Sequence, residues 1–312
     1  LDPNTRQLID NLARTPLSQV FAFVAVLTLI RLVLAPILER TPAYRRFGGF
    51  RLAKFVNEVC DAFVYAAVFV FLIIRPFLLQ TFTIPSGSMW PTLHVNDFIL
   101  LNKAIYRYSD PKAGDIVVFR PPVEAVGPAD LDSNGEPKVD FIKRCIGVPG
   151  DVIELREGVL YRNGSKVDEP YRTYSECTRE AGNNCLDFRA YDEAERANMT
   201  MPNFKLVKSG DQVIPFNWTS ADANSAFAQP TKFGDRMRPY VVAPKFVMTD
   251  LNEAARLKDA KPEPLPAGMY LFIGDNRNNS ADGRAWGIVP RERIVGRSEV
   301  IWLPLNRWQM TR

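Results

Sequence analysis

Histidine is the scarcest reactive residue in this chain: one, His94, in 312 residues. That scarcity excludes most zinc sites and most routes to a Ser-His-Asp triad, because imidazole is the commonest metal ligand and the usual base near neutral pH. Cysteine is almost as sparse: there are four and no C-x-x-C pair, so neither a zinc ribbon nor another cysteine-based metal site is expected. No glycine-rich phosphate loop and no internal repeat occurs. Neither sign of charge is in excess: 39 Lys+Arg against 35 Asp+Glu leave +4, too little and too dispersed for a nucleic-acid surface. No cofactor, no metal and no nucleic-acid partner are expected. A hydrophobic fraction of 46% still allows one large domain or two modest ones.

Long apolar runs are present, and they crowd the first quarter. Residues 20–38 read VFAFVAVLTLIRLVLAPIL. At about 1.5 Å per residue the run reaches roughly 28 Å, the hydrocarbon thickness of a bilayer. Residues 62–74, AFVYAAVFVFLII, form a second run that needs the residues up to Leu79 to span. Two transmembrane helices are the expectation, within 1–38 and 59–79. A core helix is the other reading of the second run. A signal peptide is the other reading of the first, but ILERTP supplies no small-residue cleavage site. The linker 39–58 carries Arg40, Arg45, Arg46, Arg51 and Lys54 against two glutamates. The positive-inside rule places it in the cytoplasm, with Arg31 snorkelling to the same side and everything after Leu79 exported. Cys177 and Cys185 lie in a polar stretch of that exported part, where a disulfide would persist; two free thiols are the alternative.

From residue 80 on, the pattern is that of strands. DFILL, GDIVVFR, VDFIKRCIGV, DVIELREGVLYRNG, MYLFIGDN and RSEVIWLP are short β-branched and aromatic runs. Gly, Pro and Asn punctuate them, and Asn163-Gly164 reads as a hairpin turn. The expected fold is mostly β, an antiparallel sandwich or barrel over residues 80–312. An irregular insert is expected at about 172–266, with a short helix at 249–257.

Serines flank a glycine just after the second apolar run, in TFTIPSGSMWPTL: Ser86, Gly87, Ser88. A serine nucleophile needs a base, and one nearby histidine is weak support for that role. In VDFIKRCIG, period-two alternation puts Val139, Phe141, Lys143 and Cys145 on one face and Asp140, Ile142, Arg144 and Ile146 on the other. Lys143 thus shares its face with apolar neighbours. Loss of hydration lowers a lysine pKa, and a neutral amine accepts a serine proton. The competing reading is a lysine whose stem packs while its head reaches water.

PSGSMWPTL, GDIVVFR, FIKRCIGVPGD and GDNRNNSADGRAWG follow one another in that order after an apolar segment. Together they resemble bacterial type I signal peptidase, a membrane-bound serine–lysine protease. The resemblance covers about 71–122, 139–169 and 267–304. It implies Ser88 as nucleophile and Lys143 as general base, with Ser86 Oγ and the Ser88 N–H forming the oxyanion hole. It further implies that Ser280 orients the lysine and that Asp282 and Arg284 form a supporting ion pair, with Asp275 and Arg144 also in support. The sequence departs from the family pattern at Asn278 and Gly283.

The resemblance also implies the setting and the partners. These are a prokaryotic inner membrane crossed by two helices, an active domain on the outer side, signal peptides of exported preproteins as substrates, the lipid bilayer, and a monomeric protein. Phe82, Ile84, Pro85, Met89, Leu93, Phe141 and Ile142 would line the substrate pocket; core packing is the other reading for each. A dedicated processing peptidase, a self-cleaving repressor-type relative and a non-catalytic peptide-binding β-domain are the alternatives. The apolar runs argue against the second of these, and the presence of Ser88 and Lys143 against the third.

Overall fold

The computed structural model describes residues 16–42, 48–74, 79–173, 202–219, 251–277 and 279–311. Cys177 and Cys185 lie outside these residues. Two compact units divide the chain: Leu1–Phe82 with Asn102–Ala104, and Thr83–Leu101 with Ile105–Arg312.

In the first unit, α1 (Leu17–Arg40) is an unbroken helix despite Pro36. Its Ser18–Arg40 stretch has a mean hydropathy of 2.5 and is long and apolar enough to cross a membrane. Among the described residues one helix meets that description, where two were expected. The second helix, α2 (Gly48–Val68), begins inside the stretch expected to be a cytoplasmic loop. Charged residues mark its first half, including the Lys54–Glu58 pair one turn apart at 3.7 Å. Regular α-helix then stops at Val68 and gives way to a wider π-helical turn, Phe69–Ile74, which divides the apolar run. Arg31 of α1 does not reach toward the basic linker. It pairs with Asp61 of α2 at 2.6 Å, because an ion among apolar side chains is stabilised by the nearest counter-charge.

Strand β1 (Leu79–Thr83) carries the chain from one unit into the other. The second unit then runs β2 (Phe98–Asn102), the single-turn α3 (Ile105–Tyr108), β3 (Ile116–Phe119), β4 (Phe141–Gly147), β5 (Ile153–Arg156), β6 (Val159–Arg162) and β7 (Ser165–Lys166). After these come β8 (Pro202–Ser209), β9 (Gln212–Thr219), α4 (Leu251–Asp259), β10 (Met269–Ile273), the single-turn α5 (Gly283–Trp286), β11 (Val289–Pro290), β12 (Ile294–Leu303) and β13 (Gln309–Met310). Strands β2-β12-β3-β4-β10-β11 lie side by side in that order, and β13 pairs with β12. A second sheet has the order β7-β6-β5-β8-β9. The turn at Asn163-Gly164 forms as read, with both residues at positive φ (53° and 80°) and Arg162 opposite Ser165.

Alternation along β4 feeds two cores. Cys145 and Phe141 pack with Val117, Phe119, Phe272 and Trp286 on one face. Ile146 joins Ile153, Leu155, Phe204 and Leu271 on the other, which binds the two sheets together. The stretch expected to be an irregular insert contains a regular hairpin, β8–β9, paired from Pro202↔Thr219 to Ser209↔Gln212. Polar residues had obscured it: Asn217 interrupts the apolar face that carries Phe204, and Lys205 the opposite one that carries Val207 and Phe216, yet both are buried. Helix α4 packs Leu257 against Val207, Ile214 and Phe216, two residues further along than the short helix expected there.

Candidate active site

The Pro-Ser-Gly-Ser-Met run folds as an extended Ser86 leading into a tight 3₁₀ turn, Gly87–Met89. Gly87, Ser88 and Met89 are buried, whereas Pro85 and Ser86 are exposed. The turn is tied down from the opposite end of the sequence. Asn276 donates its backbone N–H to the Ser88 carbonyl at 3.1 Å and its side-chain amide to the Gly87 carbonyl, also at 3.1 Å.

Strand β4 brings Lys143 to this turn. Its Nζ lies 2.8 Å from Ser88 Oγ and donates to the Ile142 carbonyl at 2.9 Å. Lys143 and Ser88 are 5% and 6% exposed, so the amine does not reach water. Burial lowers its pKa to about 8, against the opposing fields of Asp282 and Asp275 and with some help from Arg284. Ser86 Oγ is 3.4 Å from Ser88 Oγ, on the open side of the turn.

The loop after β10 supplies the remaining groups. Asp282 caps α5 by accepting from the Arg284 N–H, takes both Arg284 Nε (2.7 Å) and Nη2 (2.8 Å), and accepts the Gly274 N–H at 2.9 Å. Burial still raises its carboxyl pKa to about 6. Arg144 points away from Lys143, as alternation requires. It forks onto Asp275 at 2.8 and 2.6 Å and covers the Tyr171 ring at 3.8 Å. Ser280 is buried but does not hydrogen-bond Lys143. Its hydroxyl lies toward Asp282, where it favours the carboxylate without a hydrogen bond of good geometry. A Cβ on Gly274 would come within 2.2 Å of Ser280 Oγ and 2.6 Å of the Ser88 carbonyl. Only glycine lets the loop approach both serines.

The pocket residues divide. Ile84, Met89 and Leu93 are at most 2% exposed and belong to the interior behind the turn. Phe82, Phe141 and Ile142 are half-buried and Pro85 is exposed. His94 stacks on Trp90 at 3.8 Å, and burial with the nearby Arg307 charge lowers its pKa to about 4. Sequence reasoning missed Asn276 and Arg277, although both stand beside Asp275 in the GDNR run. It also missed Glu169, whose polar surroundings carry no signal.

A buried serine beside a buried lysine of lowered pKa, backed by carboxylate–guanidinium pairs, is hydrolase chemistry, and comparison with known proteins agrees. The family model described as signal peptidase, peptidase S26, matches residues 56–303. Signal peptidase I of Aquifex aeolicus is 30% identical over 245 residues, 77% of this chain and 81% of that protein. Signal peptidase I of Pseudomonas aeruginosa is 29% identical over 77% of this chain and 70% of its own length. Signal peptidase I T of Bacillus subtilis is 27% identical over 80% and 86%. The chain belongs to the signal peptidase family, peptidase S26, and is a serine endopeptidase of that family.

Proposed function

We propose that this protein removes signal peptides from exported preproteins at a membrane surface, with Ser88 as nucleophile and Lys143 as general base. The observation that carries the reading is the 2.8 Å contact between Lys143 Nζ and Ser88 Oγ, both away from water. Neutral Lys143 takes the Ser88 proton as Oγ attacks the scissile carbonyl carbon. The oxyanion that forms is held by Ser86 Oγ–H and the Ser88 N–H, a contribution of about 2.7–4 kcal/mol per donor in comparable sites. The lysine ammonium then protonates the departing amine as the C–N bond breaks. Water that loses its proton to the same amine hydrolyses the acyl ester and frees Ser88.

An extended substrate has an edge to pair with. β10 pairs with β4 as far as Ile273↔Arg144, whereas β3 continues to Phe119↔Phe141. Phe141, Ile142 and Lys143 therefore have β3 on one side, and a peptide adding on the other side meets Ser88. In this reading α1 and the apolar part of α2 lie in the prokaryotic inner membrane, with the active unit on the outer side. There they share a bilayer with the substrate's apolar segment.

The test is cleavage of a preprotein by purified protein in detergent, wild type beside Ser88→Ala and Lys143→Ala. Both substitutions are expected to abolish cleavage. Undiminished turnover in either would overturn the mechanism, and an inert wild type would favour a peptide-binding role.

A further inference from the structure

The loop that carries Asn276, Ser280 and Asp282 is braced from outside by the segment following β7. Thr173 forms a parallel bridge with Asn276: its N–H donates to the Asp275 carbonyl at 2.9 Å, and its carbonyl accepts from the Arg277 N–H at 2.8 Å. One turn earlier, Glu169 Oε1 accepts from Arg277 Nη2, and the side chains of this ion pair are 2% and 1% exposed. The Tyr171 hydroxyl donates to the same carboxylate at 3.1 Å, and Arg172 lies 3.7 Å from its other oxygen. Arg277 in turn donates Nε to the Gly274 carbonyl at 3.1 Å, and its own carbonyl accepts from Arg284 Nη2 at 3.1 Å. Glu169 is thus connected, through Arg277, to both ends of the loop that holds the Ser88 turn and Asp282: the guanidinium reaches the Gly274 end and the backbone carbonyl the Arg284 end.

The geometry points to Glu169 as a positioning residue for the serine–lysine reaction, an inference that rests on the function proposed above. Glu169 touches neither Ser88 nor Lys143. It acts by holding Arg277, and Arg277 holds the loop whose Asn276 fixes the carbonyls of Gly87 and Ser88. A buried guanidinium deprived of its carboxylate would turn toward another acceptor and take the loop with it. Movement of about 1 Å at Ser88 is enough to cost turnover severely while leaving the substrate's strand-pairing edge in place.

The experiment uses the full chain in detergent, with active sites counted by a covalent serine-directed inhibitor. Turnover is measured for wild type, Glu169→Gln, Glu169→Asp and Ser88→Ala. Glu169→Gln is expected to lower kcat per counted site by about tenfold or more with KM little changed. Glu169→Asp, which keeps the charge, should recover much of the loss. A purely structural role would reduce the number of counted sites and leave kcat per site intact, and that result overturns the proposal. So does an aspartate variant no better than the glutamine one. Should Glu169→Gln not fold, the double variant Glu169→Gln/Arg277→Met decides, since it leaves no lone buried ion; wild-type turnover per site in it also overturns the proposal. Full activity in Ser88→Ala removes the underlying reading itself, whereas an inactive Ser88→Ala beside a fully active Glu169→Gln removes only the brace.

Discussion

At the scale of single residues, the proposed reaction depends on how far burial has moved one amine. With Lys143 at a pKa of about 8, kcat/KM is expected to fall as pH drops through 8 and to level off above it. A pH–rate profile titrating near 10 would show the base to be solvated. The same burial has a cost for folding. The unfolded lysine binds its proton up to the ordinary 10.5 and the folded one only to about 8, so the lysine opposes folding fully below 8 and this opposition fades as pH rises toward 10.5. Lys143→Met should therefore raise stability at pH 7 by up to about 3 kcal/mol, with the gain shrinking at alkaline pH in parallel thermal melts. Gly274→Ala should lower turnover by about a hundredfold, because its Cβ would displace Ser280 or the Ser88 carbonyl. His94→Ala should leave turnover close to wild type in the same assay, since the ring's contact is with Trp90 and its surroundings keep it neutral.

At the scale of elements, β4 does the most. One strand presents Lys143 toward Ser88 on one face and Arg144 toward Asp275 on the other; that the two side chains face opposite ways is legible from alternation in FIKRCIG, but their partners are not. The hairpin β8–β9 was less legible. Its inward Lys205 is satisfied by the Lys258 and Ala260 carbonyls at the end of α4, and its inward Asn217 donates to the Arg284 carbonyl at 2.7 Å. Polar residues whose partners are supplied by distant elements look like surface residues in a one-dimensional pattern. Leu257→Ala, which hollows the cluster under this hairpin, should cost about 2–5 kcal/mol in denaturant titration. An unchanged midpoint would show that α4 does not support the hairpin.

At the scale of the molecule, in the setting proposed above, a membrane-spanning α1 would raise the effective concentration of a substrate held in the same bilayer. Removing residues 1–78 is expected to leave kcat on a short soluble peptide intact. Cleavage of a vesicle-embedded preprotein should weaken by about a hundredfold or more in kcat/KM. Equal loss on both substrates would mean that the first unit is needed for the fold of the second rather than for delivery.

The chain's own residue order determined which faces of β4 Lys143 and Arg144 occupy, because alternation is a property of the backbone and needs no partner. It also determined the apolar run of α1, whose length is set by composition. Tertiary structure alone decided depth and partnership. Lys143 meets Ser88 across 55 residues and Arg144 meets Asp275 across 131, contacts that no local pattern encodes. It also decided that Ser280 lies toward Asp282, that Arg31 pairs with Asp61, and that Glu169 reaches Arg277. In each case the partner is the one that relieves a buried or apolar-flanked polar group, and which one that is depends on what the fold has brought within reach.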